Sequence, residues 1–316
     1  MTETRERLAS WRPGPTRDAL IGFLDSAEAV APRDRVACFD NDGTLWCERP
    51  SYVQLDFFVD ALRTRVTEDP TVASTTEFAA LLTGDKAAMS ELGLPRIAMA
   101  LAGLFAGLTP EAFTERVRDF MAKATHPTLG RPVGATTYRP MRELMAELRR
   151  LGFTICLVTG GGTEFVRAIS QEIYGVEPEA VVGTMVGYAY SADGSNGTPH
   201  PVLRRTTEMT GEVNEGAAKV SNIQAQLGRR PIFAAGNSGG DRQMLEWAAG
   251  GGAPSMALLV DHDDADREFR YLGATETFTE DEPITDVAAR QGWTVVSMAD
   301  DWATVFDDAE SLAALA

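Results

Sequence analysis

Two aspartates one residue apart, Asp40 and Asp42, close the apolar run VACF at residues 36–39. A carboxylate at the end of a core strand is costly unless it has a partner or a task. Two other apolar runs end in polar residues of complementary kinds. FTICLV runs into Thr159, Gly160, Gly161 and Gly162, and PIFAAG runs into Asn237 and Asp241. Lys219 stands near the start of the helical stretch AAKVSNIQAQL. Together these supply carboxylates, a hydroxyl, exposed backbone amides and one ammonium.

That set suits a phosphate ester and one magnesium ion. Mg²⁺ takes carboxylate and carbonyl oxygens plus waters in an octahedron. A glycine-opened backbone nest with a hydroxyl beside it cradles phosphate oxygens, which makes Gly43, Thr44, Thr159, Gly160 and Gly161 candidates for phosphate contact. Phosphoryl transfer needs mainly in-line positioning and neutralised charge, so Asp40 can serve as nucleophile. Asp42 can then protonate the leaving alkoxide and deprotonate the hydrolytic water, because two nearby carboxylates raise one another's pKa. Gly43 permits the bend that keeps both acids at the site. The chain has only three lysines among 29 basic residues, so the position of Lys219 carries weight.

The elements that must position these residues alternate between strand and helix. Apolar runs at 35–40, 153–159, 180–183, 231–237 and 255–260 read as strands. Amphipathic stretches at 15–30, 139–152 and 163–174 and one near 217–227, with DRQMLEWAA from 241, read as helices. This order predicts an α/β fold: a Rossmann-like parallel sheet with helices on both faces, binding its ligand at the strands' carboxyl ends. Residues 51–135 are Ala/Leu/Met-rich with helical patterning and no strand, which predicts an inserted all-α cap domain between core segments 15–50 and 136–316. MVGYAYSADGSNGTPHPVLRR, within 184–205, reads as a hairpin excursion. WTVVSMADDWATVF reads as a last edge strand and a closing helix.

Composition narrows the partners. A hydrophobic fraction of 44% and a charged fraction of 24% are ordinary for a globular protein, while a net charge of −17 repels nucleic acid and anionic membrane surfaces. The expected partner is a small-molecule phosphomonoester, and oligomeric state is open. Three cysteines (Cys38, Cys47, Cys156) without metal-ligand spacing read as reduced thiols, and the polar N-terminal stretch lacks a signal-peptide core, so a cytoplasmic location is expected. Three scattered histidines argue against zinc. His126 reads as a linker residue, Trp46, Tyr52, Phe57 and Phe58 as packing at the cap hinge, and the acidic run DHDDADRE, 261–268, as solvated surface.

FDNDGT, LVTGGG, Lys219 and GNSGGD, in that order, resemble the four motifs of the haloacid dehalogenase-like phosphatases. The helical insertion after the first motif places the chain near the phosphoserine-phosphatase-like branch. The resemblance implies hydrolysis through a phosphorylated Asp40, with Mg²⁺ held by the Asp40 carboxylate, the Asp42 backbone carbonyl, Asn237, and Asp241 directly or through water. An acid at position 42 points to phosphatase activity, since the dehalogenases and cation pumps of the family lack one there. Asn237 stands where relatives commonly carry aspartate. Glu48 lies one position short of the glutamate that holds the amine in phosphoserine phosphatases, and Arg49 occupies that place. Arg49 is therefore the candidate contact to the leaving group, on a substrate other than phosphoserine. Two other readings share these motifs: a phosphotransferase or mutase, and a non-catalytic phosphate-binding module.

Overall fold

The computed structural model describes residues 7–192, 201–252, 254–273 and 282–307. Seven strands form one sheet: β1 (Val36–Phe39), β2 (Thr154–Gly162), β3 (Val181–Ser191), β4 (Val202–Thr210), β5 (Phe233–Gly236), β6 (Met256–Asp261) and β7 (Thr294–Ser297). Their order is β4-β3-β2-β1-β5-β6-β7. All neighbours are parallel except β3 and β4. The chain leaves β1 for β2 and β3 on one side and later returns for β5, β6 and β7 on the other. The carboxyl end of β1 therefore lies at the switch point of the sheet, where α/β proteins place their ligands.

β1 reads as an unbroken apolar run because it is central and covered on both faces. Its side chains alternate between two cores: Ala37 and Phe39 join one cluster, Val36 and Cys38 the other. On the first face lie helices α1 (Pro15–Ala27), α7 (Arg139–Arg150) and α8 (Thr163–Tyr174); on the second lie α9 (Ala217–Leu227), α10 (Arg242–Ala249) and α11 (Ile284–Gln291). In α7 the buried residues Met141, Leu144, Met145 and Leu148 recur at the three- and four-residue spacing of a single helix face. Cys38 and Cys156 are register neighbours on β1 and β2, and all three cysteines are free and buried.

Five helices fall between β1 and β2 ahead of α7: α2 (Val53–Glu68), α3 (Thr76–Thr83), α4 (Lys86–Leu92), α5 (Leu94–Gly103) and α6 (Pro110–Met121). Leu62, Phe78, Ile97 and Leu101 form a small core of their own. Phe57 instead joins the main core: its ring centroid lies 5.0 Å from Phe105 and 5.5 Å from Phe165 of α8. A cavity of about 950 Å³ opens among these helices, between Asp60, Val72, Phe78 and Asp119, and touches none of the strand-end residues.

Three expectations change. The stretch at 180–205 is not a short strand followed by a separate hairpin: β3 runs on for eleven residues and pairs with β4 as the sheet's antiparallel edge. The turn between them lies outside the described residues. The first helix ends at Ala27 rather than residue 30. The run 261–268 is not a solvated surface, because His262, Asp264 and Glu268 are buried. Asp264 accepts from the backbone of Asp266 and Arg267, and Glu268 accepts from Tyr138 Oη at 2.9 Å, so each acid is partnered inside the fold. The closing elements at the C-terminal end are β7 and a short helix, α12 (Met298–Asp301).

Candidate active site

Asp40 directly follows β1, and its backbone N–H still donates to Ala235 O of β5 at 2.9 Å. The chain then turns sharply: Leu45 N donates to Asn41 O at 2.8 Å and Gly43 N to Trp46 O at 2.9 Å. Gly43 has φ +73°, and a Cβ there would lie 2.0 Å from Asn237 Nδ2 and 2.7 Å from Glu48 Oε1. Only glycine combines that backbone conformation with so close an approach.

Lys219, on the first turn of α9, is 1% exposed and reaches under the strand ends. Its ammonium donates to Asp241 Oδ1 at 2.6 Å, Asp40 Oδ1 at 2.8 Å and the Val158 carbonyl at 3.2 Å. Burial opposes its charge, but Asp241 and Asp40 outweigh that and hold its pKa well above the ordinary value. Burial pushes the Asp40 carboxyl up, Asp241 beside it adds to this, and Lys219 pulls it back. Asp42 is raised by burial, and a 2.8 Å hydrogen bond from Trp46 Nε1 to its Oδ1 offsets part of the rise.

Thr44 joins the two loops. Its hydroxyl lies 3.2 Å from Asp40 Oδ2 and 3.3 Å from Asn237 Oδ1, so those two oxygens converge on one point. Asn237 Nδ2 in turn donates to Glu48 Oε1 at 3.0 Å. Asp241 Oδ2 accepts from the backbone N–H groups of Asn237 and Ser238 and from the Ser238 hydroxyl, at 3.0 to 3.3 Å. Asp241 thus anchors the loop with one oxygen and Lys219 with the other.

The second strand end is built differently. Gly161 N donates to Thr159 Oγ1 at 2.9 Å. The Thr159 carbonyl accepts from Asn214 Nδ2 at 2.9 Å. A Cβ on Gly160 would lie 1.8 Å from Glu215 Oε1, and one on Gly161 2.7 Å from Gln54 Oε1. Gln54, on the first turn of α2, also accepts from Gly162 N at 2.8 Å, so the helical insertion touches the glycine run directly, which forms the end of strand β2 rather than the expected turn. Burial raises the Glu215 carboxyl to about 7 against the pull of Lys219.

Hydrogen bonds and ion pairs therefore connect Asp40, Thr44, Lys219, Asn237 and Asp241, while Asp42 hangs beside them on Trp46. Lys219 also ties this group to Thr159, Gly160 and Gly161 through the Val158 carbonyl. The Arg49 guanidinium is stacked 4.6 Å above the Tyr271 ring. His126, in the linker, is buried and bonds the Arg49 carbonyl through Nε2 at 2.7 Å. Sequence reasoning missed Glu215, Gln54, Asn214 and His262, whose Nε2 bonds the Gly43 carbonyl at 2.7 Å. Glu215 alone had a local signal: it stands four residues before Lys219, the spacing of a helical ion pair, at 4.0 Å here.

The expected donor set is hard oxygen throughout: the Asp40 carboxylate, the Asp42 carbonyl and the Asn237 amide oxygen, with Asp241, whose two oxygens are engaged by Lys219 and the backbone of Asn237 and Ser238, left to act through water. Among the described residues no three His, Cys, Asp or Glu side chains close into a cation cage. Magnesium does not need one, since it is usually held by one or two carboxylates and keeps several waters. The residues present fit that ion.

Residues 37–246 match the family model described as haloacid dehalogenase-like hydrolase. The chain belongs to the haloacid dehalogenase-like hydrolases. All four motif segments lie within that match. No curated protein matches this hydrolase. Among solved structures, a protein of unknown function from Bordetella pertussis Tohama I is 19% identical with a TM-score of 0.51, over 83% of this chain and 97% of that one. A conserved protein of unknown function from Anaerococcus prevotii DSM 20548 is 13% identical with a TM-score of 0.49, over 84% and 96%. The first of these shows the same fold. Among the described residues, no helix is long and apolar enough to cross a membrane.

Proposed function

We propose that this haloacid dehalogenase-like hydrolase is a magnesium-dependent phosphomonoesterase that acts on a small phosphorylated metabolite through a phosphorylated Asp40. The observation that carries the reading is the Lys219 ammonium, which holds Asp40 at 2.8 Å and Asp241 at 2.6 Å in a buried site. A nucleophilic carboxylate facing a phosphate dianion needs its negative charge countered, and a buried lysine does this at fixed geometry.

Lys219 holds Asp40 through Oδ1 and Thr44 lies beside Oδ2, which fixes the carboxylate for its attack on phosphorus. Asp42, raised by burial, gives its proton to the leaving alkoxide as the P–O bond breaks and then takes one from the water that hydrolyses the aspartyl phosphate. Trp46 fixes Asp42 in that position. Thr159 and the Gly160 amide receive the phosphoryl oxygens, joined by the Gly161 amide once it leaves Thr159 Oγ1. A magnesium ion held by Asp40, the Asp42 carbonyl and Asn237 supplies further charge neutralisation when bound. Residues 51–135 serve as the cap, with Gln54 reaching the glycine run and Arg49 available to the leaving group. Three free cysteines, two of them adjacent in the central strands, support a reducing, cytoplasmic setting.

Release of p-nitrophenol from p-nitrophenyl phosphate, with and without Mg²⁺, tests the reading in wild type and Asp40→Asn. Turnover that needs the metal and vanishes in the variant supports it. No turnover with any divalent cation favours a phosphate-binding module instead, and transfer of phosphate to an added alcohol favours a phosphotransferase.

A further inference from the structure

We propose that Glu48 is a positioning residue of the cation site: its carboxylate fixes the Asn237 side chain with the amide oxygen toward Asp40, and supplies the negative charge that a neutral amide lacks. The inference rests on the magnesium-dependent reading above and deepens it.

A primary amide presents an oxygen on one side and a nitrogen on the other, and its partners decide which faces where. Glu48 Oε1 lies 3.0 Å from the Asn237 amide. An ionised carboxylate only accepts, so the nitrogen must face Glu48. The oxygen is then turned to Thr44 Oγ1 at 3.3 Å, the hydroxyl that also reaches Asp40 Oδ2 at 3.2 Å. The Thr44 hydroxyl can donate or accept and so does not by itself select the orientation; without Glu48 the amide could turn and aim N–H donors at the cation.

The contact is built into the turn. Glu48 is 7% exposed and Asn237 2%, and the space both occupy exists because residue 43 lacks a side chain. Burial raises the Glu48 carboxyl, and His262, a Tyr271 hydrogen bond and Arg49 draw it back toward the ionised form. A carboxylate that orients and polarises a ligand typically changes metal affinity 10- to 100-fold when removed.

The test measures Mn²⁺ binding to the full chain without substrate, from the EPR signal of free Mn²⁺. Wild type, Asp40→Asn, Glu48→Gln and the double variant Glu48→Gln/Asn237→Asp are compared. Glu48→Gln keeps an acceptor but loses the charge, and should bind Mn²⁺ about 10-fold or more weakly. The double variant moves the charge onto residue 237, reverses the hydrogen bond, and should recover to within about threefold of wild type. A merely structural glutamate would not be rescued in this way.

Binding by Glu48→Gln within about twofold of wild type overturns the inference, as does a double variant no better than the single one. No saturable site in wild type, or one that survives Asp40→Asn, overturns the metal-dependent reading itself. Should Glu48→Gln fail to fold, Asn237→Asp alone decides. It sets two carboxylates against each other, so melting should fall without cation and rise with Mn²⁺ by more than in wild type. An unchanged response overturns the inference.

Discussion

The Lys219 ammonium and the Asp40 carboxylate lie 2.8 Å apart although 179 residues separate them in the chain, and both are buried. The contact joins two strand ends and the start of α9. Asp241 completes it at 2.6 Å from the same nitrogen, so one cation is shared by two acids. Removing the cation leaves two adjacent buried carboxylates with no counter-charge.

Lys219→Met should therefore damage both stability and activity. Loss of one partner of a buried ion pair costs about 3–5 kcal/mol. Urea denaturation should show that loss, and turnover should fall below detection. A variant with unaltered stability would mean that Lys219 is not the partner of Asp40 and Asp241 in solution.

Asp42→Asn removes the proton carrier without touching the nucleophile. Turnover should fall about 10²- to 10⁴-fold, the usual range for a general acid–base group. p-Nitrophenolate leaves without a proton, so the first step survives better than the second. Stopped-flow should show a stoichiometric burst of p-nitrophenol followed by a slow phase. Equal slowing of both phases would contradict the assigned role.

Gly43→Ala places a Cβ 2.0 Å from Asn237 Nδ2, at a residue with φ +73°. The left-handed conformation alone costs a non-glycine residue about 1–2 kcal/mol, and the collision adds to it. Thermal melting should fall, and Mg²⁺-dependent turnover should be lost with it.

Glu215 gives a pH-dependent signature. Its carboxyl is raised to about 7 from an ordinary 4.5, chiefly by burial. The folded state then holds a proton that the unfolded state releases, so this group's stabilisation is complete below pH 4.5 and declines up to about pH 7. Glu215→Gln removes the decline. Measured without cation, it should be more stable than wild type at pH 8 by up to about 3 kcal/mol, and no different at pH 4. A gap that widened toward low pH would contradict this.

The sheet and most of the site were legible because they are local. VACF, FTICLV and FAAG are continuous apolar runs, as central parallel strands must be. The residues that end them are functional candidates by position alone. Lys219 was legible because lysine is scarce in this chain. What escaped depends on distant pairing. Nothing in the sequence says that Glu48 meets Asn237 across 189 residues, or that His262 meets the Gly43 carbonyl across 219. The acids of 261–268 resemble a solvated run because their partners, Tyr138 and His262 among them, come from other elements or face inward. Arg49 was placed by analogy with a neighbouring position, and it stacks on Tyr271.

The most direct test of the central claim is covalent. The protein is mixed with ³²P-labelled phosphoester and Mg²⁺, quenched in acid within the first turnover, digested, and the labelled peptide sequenced. The account predicts a base-labile label on the peptide that carries Asp40, absent in Asp40→Asn. A label on serine or threonine, or full turnover with no label, would contradict it.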